Sequence, residues 1–152
     1  MHLERWEVPV PCLGFAPVRV KIVSNALCFG PAPAPGDIVE QRLTVKADGR
    51  VWFSSYAFGE GPGAYALADK WISKPGESSG RRIMEGIFKT FSEEPDWYPA
   101  TDVGDWALAV TGADDERFED EGPLMNQSER LHRLTRLIRE EIGVRELFAF
   151  GG

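Results

Sequence analysis

Hydrophobic and polar residues alternate along several segments of the chain with the period of two that is typical of β-strands. Val18, Val20 and Ile22, for example, alternate with the basic residues Arg19 and Lys21. The segments that alternate in this way, or that are rich in β-branched and aromatic residues, are 18–22, 38–45, 51–58, 106–110 and a short partner at 116–120, with 70–73 as a further short candidate.

A period of three to four residues appears in two other segments and predicts two amphipathic helices. The first is expected to begin at an N-cap formed by Ser78 or Ser79 and to run to about residue 94, just before a proline. The second is expected to begin at Ser128 and to end at Gly143, which suits a left-handed C-cap. The apolar side chains that share one helical face are Ile83, Ile87 and Phe91 in the first helix and Leu131, Leu134, Ile138 and Ile142 in the second.

The order of these elements favours an α+β fold, because the strands cluster together instead of alternating singly with helices. We expect an antiparallel β-sheet of hairpins with two amphipathic helices packed on one face. Residues 1–152 are expected to form a single domain, with an irregular proline-containing lead at 1–17 and a proline-rich connector at 30–36. Residues 147–150 are expected to form a last strand or a docked C-terminal tail.

The dipeptide Asp48-Gly49 lies between two strand-like segments and predicts a β-hairpin. A two-residue turn, which we favour because its apolar set is larger, groups Val39, Leu43, Val45, Trp52, Tyr56 and Phe58 on one face. A three-residue turn with a glycine bulge groups Leu43, Val45, Val51 and Phe53 instead. A slip of one residue exchanges the two faces, so the sequence leaves both registers open.

Negative charge is concentrated in one part of the chain. Eleven of the 24 acidic residues lie in segment 93–125, which holds a single basic residue, Arg117. This segment has a net charge of −10, whereas the whole chain has −7 and its remaining residues sum to +3. Such a division of charge creates a strong local field that selects some partners and repels others.

Composition excludes several classes of protein. The acidic balance argues against binding of duplex nucleic acid, which requires a basic surface. No apolar run approaches the ~20 residues of a membrane helix, and residues 1–7 lack the apolar stretch of a signal peptide. Cys12 and Cys28 are too few for a disulfide framework. These features predict a cytoplasmic protein, and its small size suggests a bacterial or phage origin.

The sequence contains no recognisable catalytic or metal-binding motif. Its two histidines, His2 and His132, are isolated, and neither paired-cysteine nor zinc-protease spacing occurs. A nucleophile elbow and a phosphate-binding glycine loop are also missing. We therefore expect no cofactor and no metal, and an enzyme is the less favoured class.

The acidic segment supports our leading hypothesis, which is a small non-enzymatic protein-interaction module of adaptor, immunity-like or inhibitor-like type. Its acidic face would dock on a protein partner that presents a basic surface. The residues expected to form this face are Asp114, Asp115, Glu116, Glu119, Asp120 and Glu121.

A second hypothesis is a small-ligand binder or enzyme, because carboxylates and aromatic rings lie close together near residues 96–106. Rings beside carboxylates suit a sugar or a cationic ligand. The residues of this site would be Asp96, Trp97, Tyr98, Asp102, Asp105 and Trp106. A homodimer formed through a sheet edge or the first helix is a third possibility.

Overall fold

The computed structural model describes residues 12–27, 33–59, 65–100 and 103–152. In chain order the elements are β1 (Pro17–Asn25), β2 (Ile38–Lys46), β3 (Val51–Phe58), β4 (Tyr65–Ser73), α1 (Glu77–Phe91), β5 (Asp105–Gly112), β6 (Arg117–Pro123) and α2 (Glu129–Ile142). The fold is α+β, with a six-stranded antiparallel sheet and two helices packed against it, which confirms the predicted fold class.

The strands lie in the order β4-β3-β2-β1-β5-β6, so β1 is central and β4 and β6 form the two edges. The chain reaches one edge through β2, β3 and β4, and the other through β5 and β6. Helix α1 connects the two halves and packs against α2 and against β1. Neither of the two helices is long and apolar enough to cross a lipid bilayer.

The core lies between the helices and one face of the sheet. Alternate residues of the strands point into it, which is why Val20 and Ile22 of β1 are buried while Arg19 and Lys21 are exposed. The helices approach closely, because a Cβ atom at Gly86 would lie only 2.8 Å from a methyl carbon of Leu137. The largest side chains that are almost fully buried are Trp106, Phe150, Leu13, Ile22, Leu43, Ile83, Ile87, Leu131, Ile138, Leu147, Val20 and Val45.

The favoured hairpin register is wrong, and the three-residue turn is the one that forms. Leu43 lies opposite Phe53 and Val45 opposite Val51, all four of them buried, and Gly49 has a φ of 94°. The larger apolar set misled the prediction because amphipathic aromatic side chains can remain partly exposed on a sheet.

On the face of the hairpin that points away from the helices, two aromatic rings contact cationic side chains. The Cζ atom of Arg42 lies 4.6 Å from the centre of the Tyr56 ring, and the Nζ atom of Lys46 lies 5.6 Å from that of Trp52. Cation–π contacts of this kind keep an aromatic ring partly desolvated without burying it in the core.

The start of α1 was also predicted incorrectly. Its N-cap is Gly76, with no side-chain capping bond, whereas Ser79 lies inside the helix and is buried. The helix begins early because its first turn rests on the hairpin turn: a Cβ atom at Gly80 would lie 2.7 Å from the carbonyl oxygen of Ala47. Tertiary contact therefore overrides the local capping signal.

The limits of α2 are confirmed. The Ser128 hydroxyl accepts a hydrogen bond from the Leu131 backbone N–H at 3.1 Å. At the other end Gly143 adopts a φ of 76°, and its N–H donates to the Arg139 carbonyl at 2.9 Å. Both caps depend only on residues close in sequence, and both form as predicted.

Several strands are longer than expected from the sequence or have shifted limits, whereas the C-terminal tail docks as one of the two expected alternatives. The edge strand β4 has nine residues, where only 70–73 was predicted, and β6 begins and ends later than 116–120. Residues 147–150 dock as a tail, with Leu147 and Phe150 buried. Much of the predicted lead at 1–17 and connector at 30–36 lies outside the described residues, and Pro17 already belongs to β1.

Candidate binding surfaces

The face of the sheet opposite the helices, which we call the open face, has more basic residues in its centre and more carboxylates at its β6 edge. On this face Lys21 of β1 lies between Thr44 of β2 and Ala109 of β5, and Ala109 lies next to Glu119 of β6. The exceptions are Glu40 on β2 and Arg117 on β6. The basic residues of β1 and β2 on this face are Arg19, Lys21, Arg42 and Lys46.

Five of the six predicted partner-binding residues lie together at the β6 edge and form what we call the acidic rim. Its members are Asp114, Asp115 and Glu116 in the turn between β5 and β6, and Glu119 and Glu121 on β6. All five side chains belong to exposed residues.

The sixth residue, Asp120, points the other way, because successive residues of a strand face opposite sides of the sheet. It lies opposite Leu108 and is half-buried, and burial raises the pKa of its carboxyl group. Its Oδ1 atom accepts a hydrogen bond from the Glu121 backbone N–H at 2.8 Å. Asp120 is thus separated from the acidic rim.

The acidic segment is neutralised at one end and left unpaired at the other. Arg130 of α2 reaches Glu93 at 3.3 Å and Asp96 at 3.4 Å. No member of the acidic rim forms an ion pair with a cation in the described ranges. The side chains of the acidic rim therefore face the solvent.

A shallow depression of about 640 Å³ runs along the open face beside the acidic rim. The small side chains of Ala107 and Ala109 form its floor, and Lys21 lines the side away from β6. Asp105 begins β5, two residues before Ala107, and its carboxyl pKa is raised first by burial and then by the neighbouring charges of Glu121 and Glu40.

The aromatic–carboxylate residues of the second hypothesis do not converge on one pocket. Trp106 is fully buried, and its ring centre lies 5.8 Å from that of the partly buried Trp97. Asp96 accepts a hydrogen bond from the Ser128 hydroxyl at 2.5 Å, beside its ion pair with Arg130.

The remaining members of that set point elsewhere. Tyr98 is 82% exposed, and Asp105 belongs to the acidic end of the open face. Asp102 lies outside the described residues. The Nε1 atom of Trp106 is buried without a hydrogen-bond partner in the described part of the chain and lies beside the edge residue Gly122.

A second concave surface, larger than the depression beside the acidic rim, lies next to β4 and was not predicted from the sequence. We call it the edge groove. It measures about 840 Å³ and lies between the helix-facing side of β4 and the C-terminal end of α2. The stacked rings of Phe53 and Trp71, 5.2 Å apart between centres, form its apolar part. The aromatic and apolar residues of 65–73 were the available signal, but without a clear alternation they did not identify a strand.

Within the ranges that the structure describes, no three or more His, Cys, Asp or Glu side chains are grouped so as to hold a metal ion. No protein-family model matches the chain, and no curated protein matches it either. Function is therefore inferred from the charge and shape of the acidic rim and the edge groove.

Proposed function

We propose that this protein is a small non-enzymatic interaction module, of adaptor, immunity-like or inhibitor-like type, that acts in the cytoplasm. In this proposal the acidic rim docks on a basic surface of a partner protein. The observation that carries the proposal is the set of five exposed carboxylates at one sheet edge that lack an ion pair within the described ranges.

Physical chemistry supports a docking role for such a rim. Like charges held close together repel one another, and a partner's lysines or arginines relieve that repulsion on binding. The same field accelerates association, and added salt screens it over a distance of ~8–10 Å. The complex is therefore expected to form fast and to weaken as ionic strength rises.

The first experiment is a pull-down from native lysate at low and moderate salt, followed by identification of the bound proteins. The rim variant Asp114→Lys, Asp115→Lys, Glu116→Lys is expected to fold, because all three residues are exposed in a turn; the φ of 59° at Asp115 favours aspartate over lysine and should cost it a little stability. Its affinity for the captured partner is expected to fall by at least about tenfold, which corresponds to ~1.4 kcal/mol.

A matched control separates a specific rim from a general charge effect. The variant Glu85→Lys, Glu129→Lys, Glu140→Lys changes the net charge by the same amount, and its three residues are exposed on the helical layer. It should retain the affinity of the wild type. Unchanged affinity of the rim variant, or equal losses in both variants, would show that the rim is not the interface.

A further inference from the structure

Strand β4 is an edge strand, and no other strand of the described residues lies on its outer side. Of its nine residues only Trp71 and Ser73 are partly shielded, and the other seven are exposed. Its one strand neighbour in the described sheet is β3. The backbone N–H and C=O groups that point away from β3 can therefore accept another strand.

Large apolar side chains lie along β4 on the open face of the sheet. Tyr65 is 47% exposed, Leu67 56% and Ile72 68%, and each lies across from an aromatic residue of β3 in the register. Those neighbours are Phe58, Tyr56 and Trp52, in the same order. An exposed apolar cluster of this size on an edge strand is typical of an interaction site.

The opposite side of β4 borders the edge groove. There the paired rings of Phe53 and Trp71, together with Ile142 and Val144 at the end of α2, offer an apolar wall. A strand added beside β4 would alternate its side chains between this groove and the open-face cluster, because strand side chains alternate in direction.

The charge of the groove indicates which side chain it would receive. Its two charged lining residues, Asp69 and Glu146, are both acidic and exposed, and neither forms an ion pair with a cation of the described chain. The C-terminal end of α2 at Gly143 adds the partial negative charge of a helix terminus. A lysine or arginine therefore complements the groove.

We propose that β4 and the edge groove bind an extended segment of a partner protein as an added strand, with apolar residues at alternate positions and a lysine or arginine directed at Asp69. Strand addition of this kind takes affinity from backbone hydrogen bonds and specificity from alternate side chains. A register shift in β4 at Ala68 leaves 69–73 as the regular stretch beside the groove.

A second copy of this chain fits the site less well. The cation within β4 is Lys70, which lies across from Ser54 and so points to the open face, away from the groove. Residues directly opposite each other in an antiparallel pair share one side of the sheet. A second β4 would therefore offer Asp69 and Glu146 no compensating charge.

This site is distinct from the acidic rim, because the two lie at opposite edges of the sheet. The test uses a phage-displayed library of random peptides long enough to pair with β4, selected on the wild-type protein. Enriched peptides are expected to alternate apolar residues with at least one lysine or arginine, and proline at alternate peptide positions should abolish binding.

Two single variants locate the binding site. Asp69→Lys is expected to lower the affinity of an enriched peptide by about tenfold. The matched control Asp114→Lys, in the acidic rim, should leave it unchanged. Both residues are exposed, so both variants should fold.

Four outcomes would overturn the proposal. They are the absence of any enriched sequence, enrichment of acidic peptides, loss of binding in Asp114→Lys with retention in Asp69→Lys, and a wild-type dimer that dissociates when Ile72 is replaced by Asp in sedimentation experiments. The last result would show that β4 pairs with a second copy of this chain. Peptides that bind the acidic rim instead of β4 would produce the third outcome, so the two single variants separate this proposal from the proposed function of the rim.

Discussion

The two edges of the sheet are built in opposite ways. Strand β6 has seven residues, of which four are charged, and it ends at Pro123. Strand β4 has nine residues, of which two are charged, and four of the others are large and apolar. Charge and proline protect a sheet edge against the addition of a further strand, whereas a long apolar edge invites it. Under the two proposals, charge-driven docking belongs to the β6 edge and strand pairing to the β4 edge.

The strongest test of this difference compares an apolar residue from each edge. Phe118 of β6 is buried, with its ring centre 6.2 Å from that of Phe91, so Phe118→Ala should cost about 3–5 kcal/mol of the free energy of unfolding. Leu67 of β4 is 56% exposed, and Leu67→Ala should cost less than about 0.5 kcal/mol. Urea denaturation measures both values. A large loss in Leu67→Ala would give the apolar cluster of β4 a structural role and weaken the comparison.

A smaller effect on stability, with a clear effect on self-association, is expected from Ile72→Lys. This side chain is the most exposed of the large apolar residues on β4, so the free energy of unfolding should change by no more than about 0.5 kcal/mol. The added charge should raise the concentration at which light scattering detects aggregates, because lysine blocks edge pairing. The control Ala107→Lys adds the same charge at an exposed position of the open face, opposite Glu121 of β6, and should leave that concentration little changed.

The smallest expected effect concerns pH and Asp120. Because burial raises the pKa of this carboxyl in the folded state, its ionised form destabilises the fold at neutral pH. Asp120→Asn should therefore stabilise the protein at pH 7, by less than about 1 kcal/mol because the residue is partly exposed. As the pH falls, the Asp120 carboxyl is protonated first in the folded protein, and its unfavourable ionised form is lost. Near the pKa of ~3.9 of the unfolded chain, wild type and Asp120→Asn should therefore be equally stable.

Thermal unfolding of both proteins across this pH range measures the difference. The control Asp114→Asn removes one charge from the exposed turn of the acidic rim, and it measures the effect of losing a single carboxylate at the same edge of the sheet. An advantage of Asp120→Asn that grew as the pH fell would contradict a raised pKa of the Asp120 carboxyl in the folded protein.

Local signals predicted local structure, and long-range contacts decided the rest. Ser128 and Gly143 marked the ends of α2 correctly because a cap depends on a few neighbouring residues. The start of α1 was missed because Gly80 fits against a turn that is distant in sequence. The hairpin register was missed because it depends on which face the helices cover, and the apolar count of two strands does not contain that information.

The candidate surfaces follow the same rule. The acidic rim could be located from the sequence, but alternation along β6 removes Asp120 from it, and Arg130 neutralises Glu93 and Asp96 from a helix far along the chain. The edge groove could not be predicted, since its wall brings Trp71 next to residues of α2. Only the folded chain makes these residues neighbours.

The three glycines where the hairpin turn meets α1 have a consequence for the exchange of backbone hydrogens with solvent. Gly49 lies so close to the Gly76 carbonyl that a side chain at Gly49 would not fit, and Gly80 meets the same turn from the helix. This contact fixes the chain three residues after β4 ends at Ser73. The C-terminal end of β4 therefore opens less often than its start at Tyr65, and its amide hydrogens should be the slower ones to exchange for deuterium.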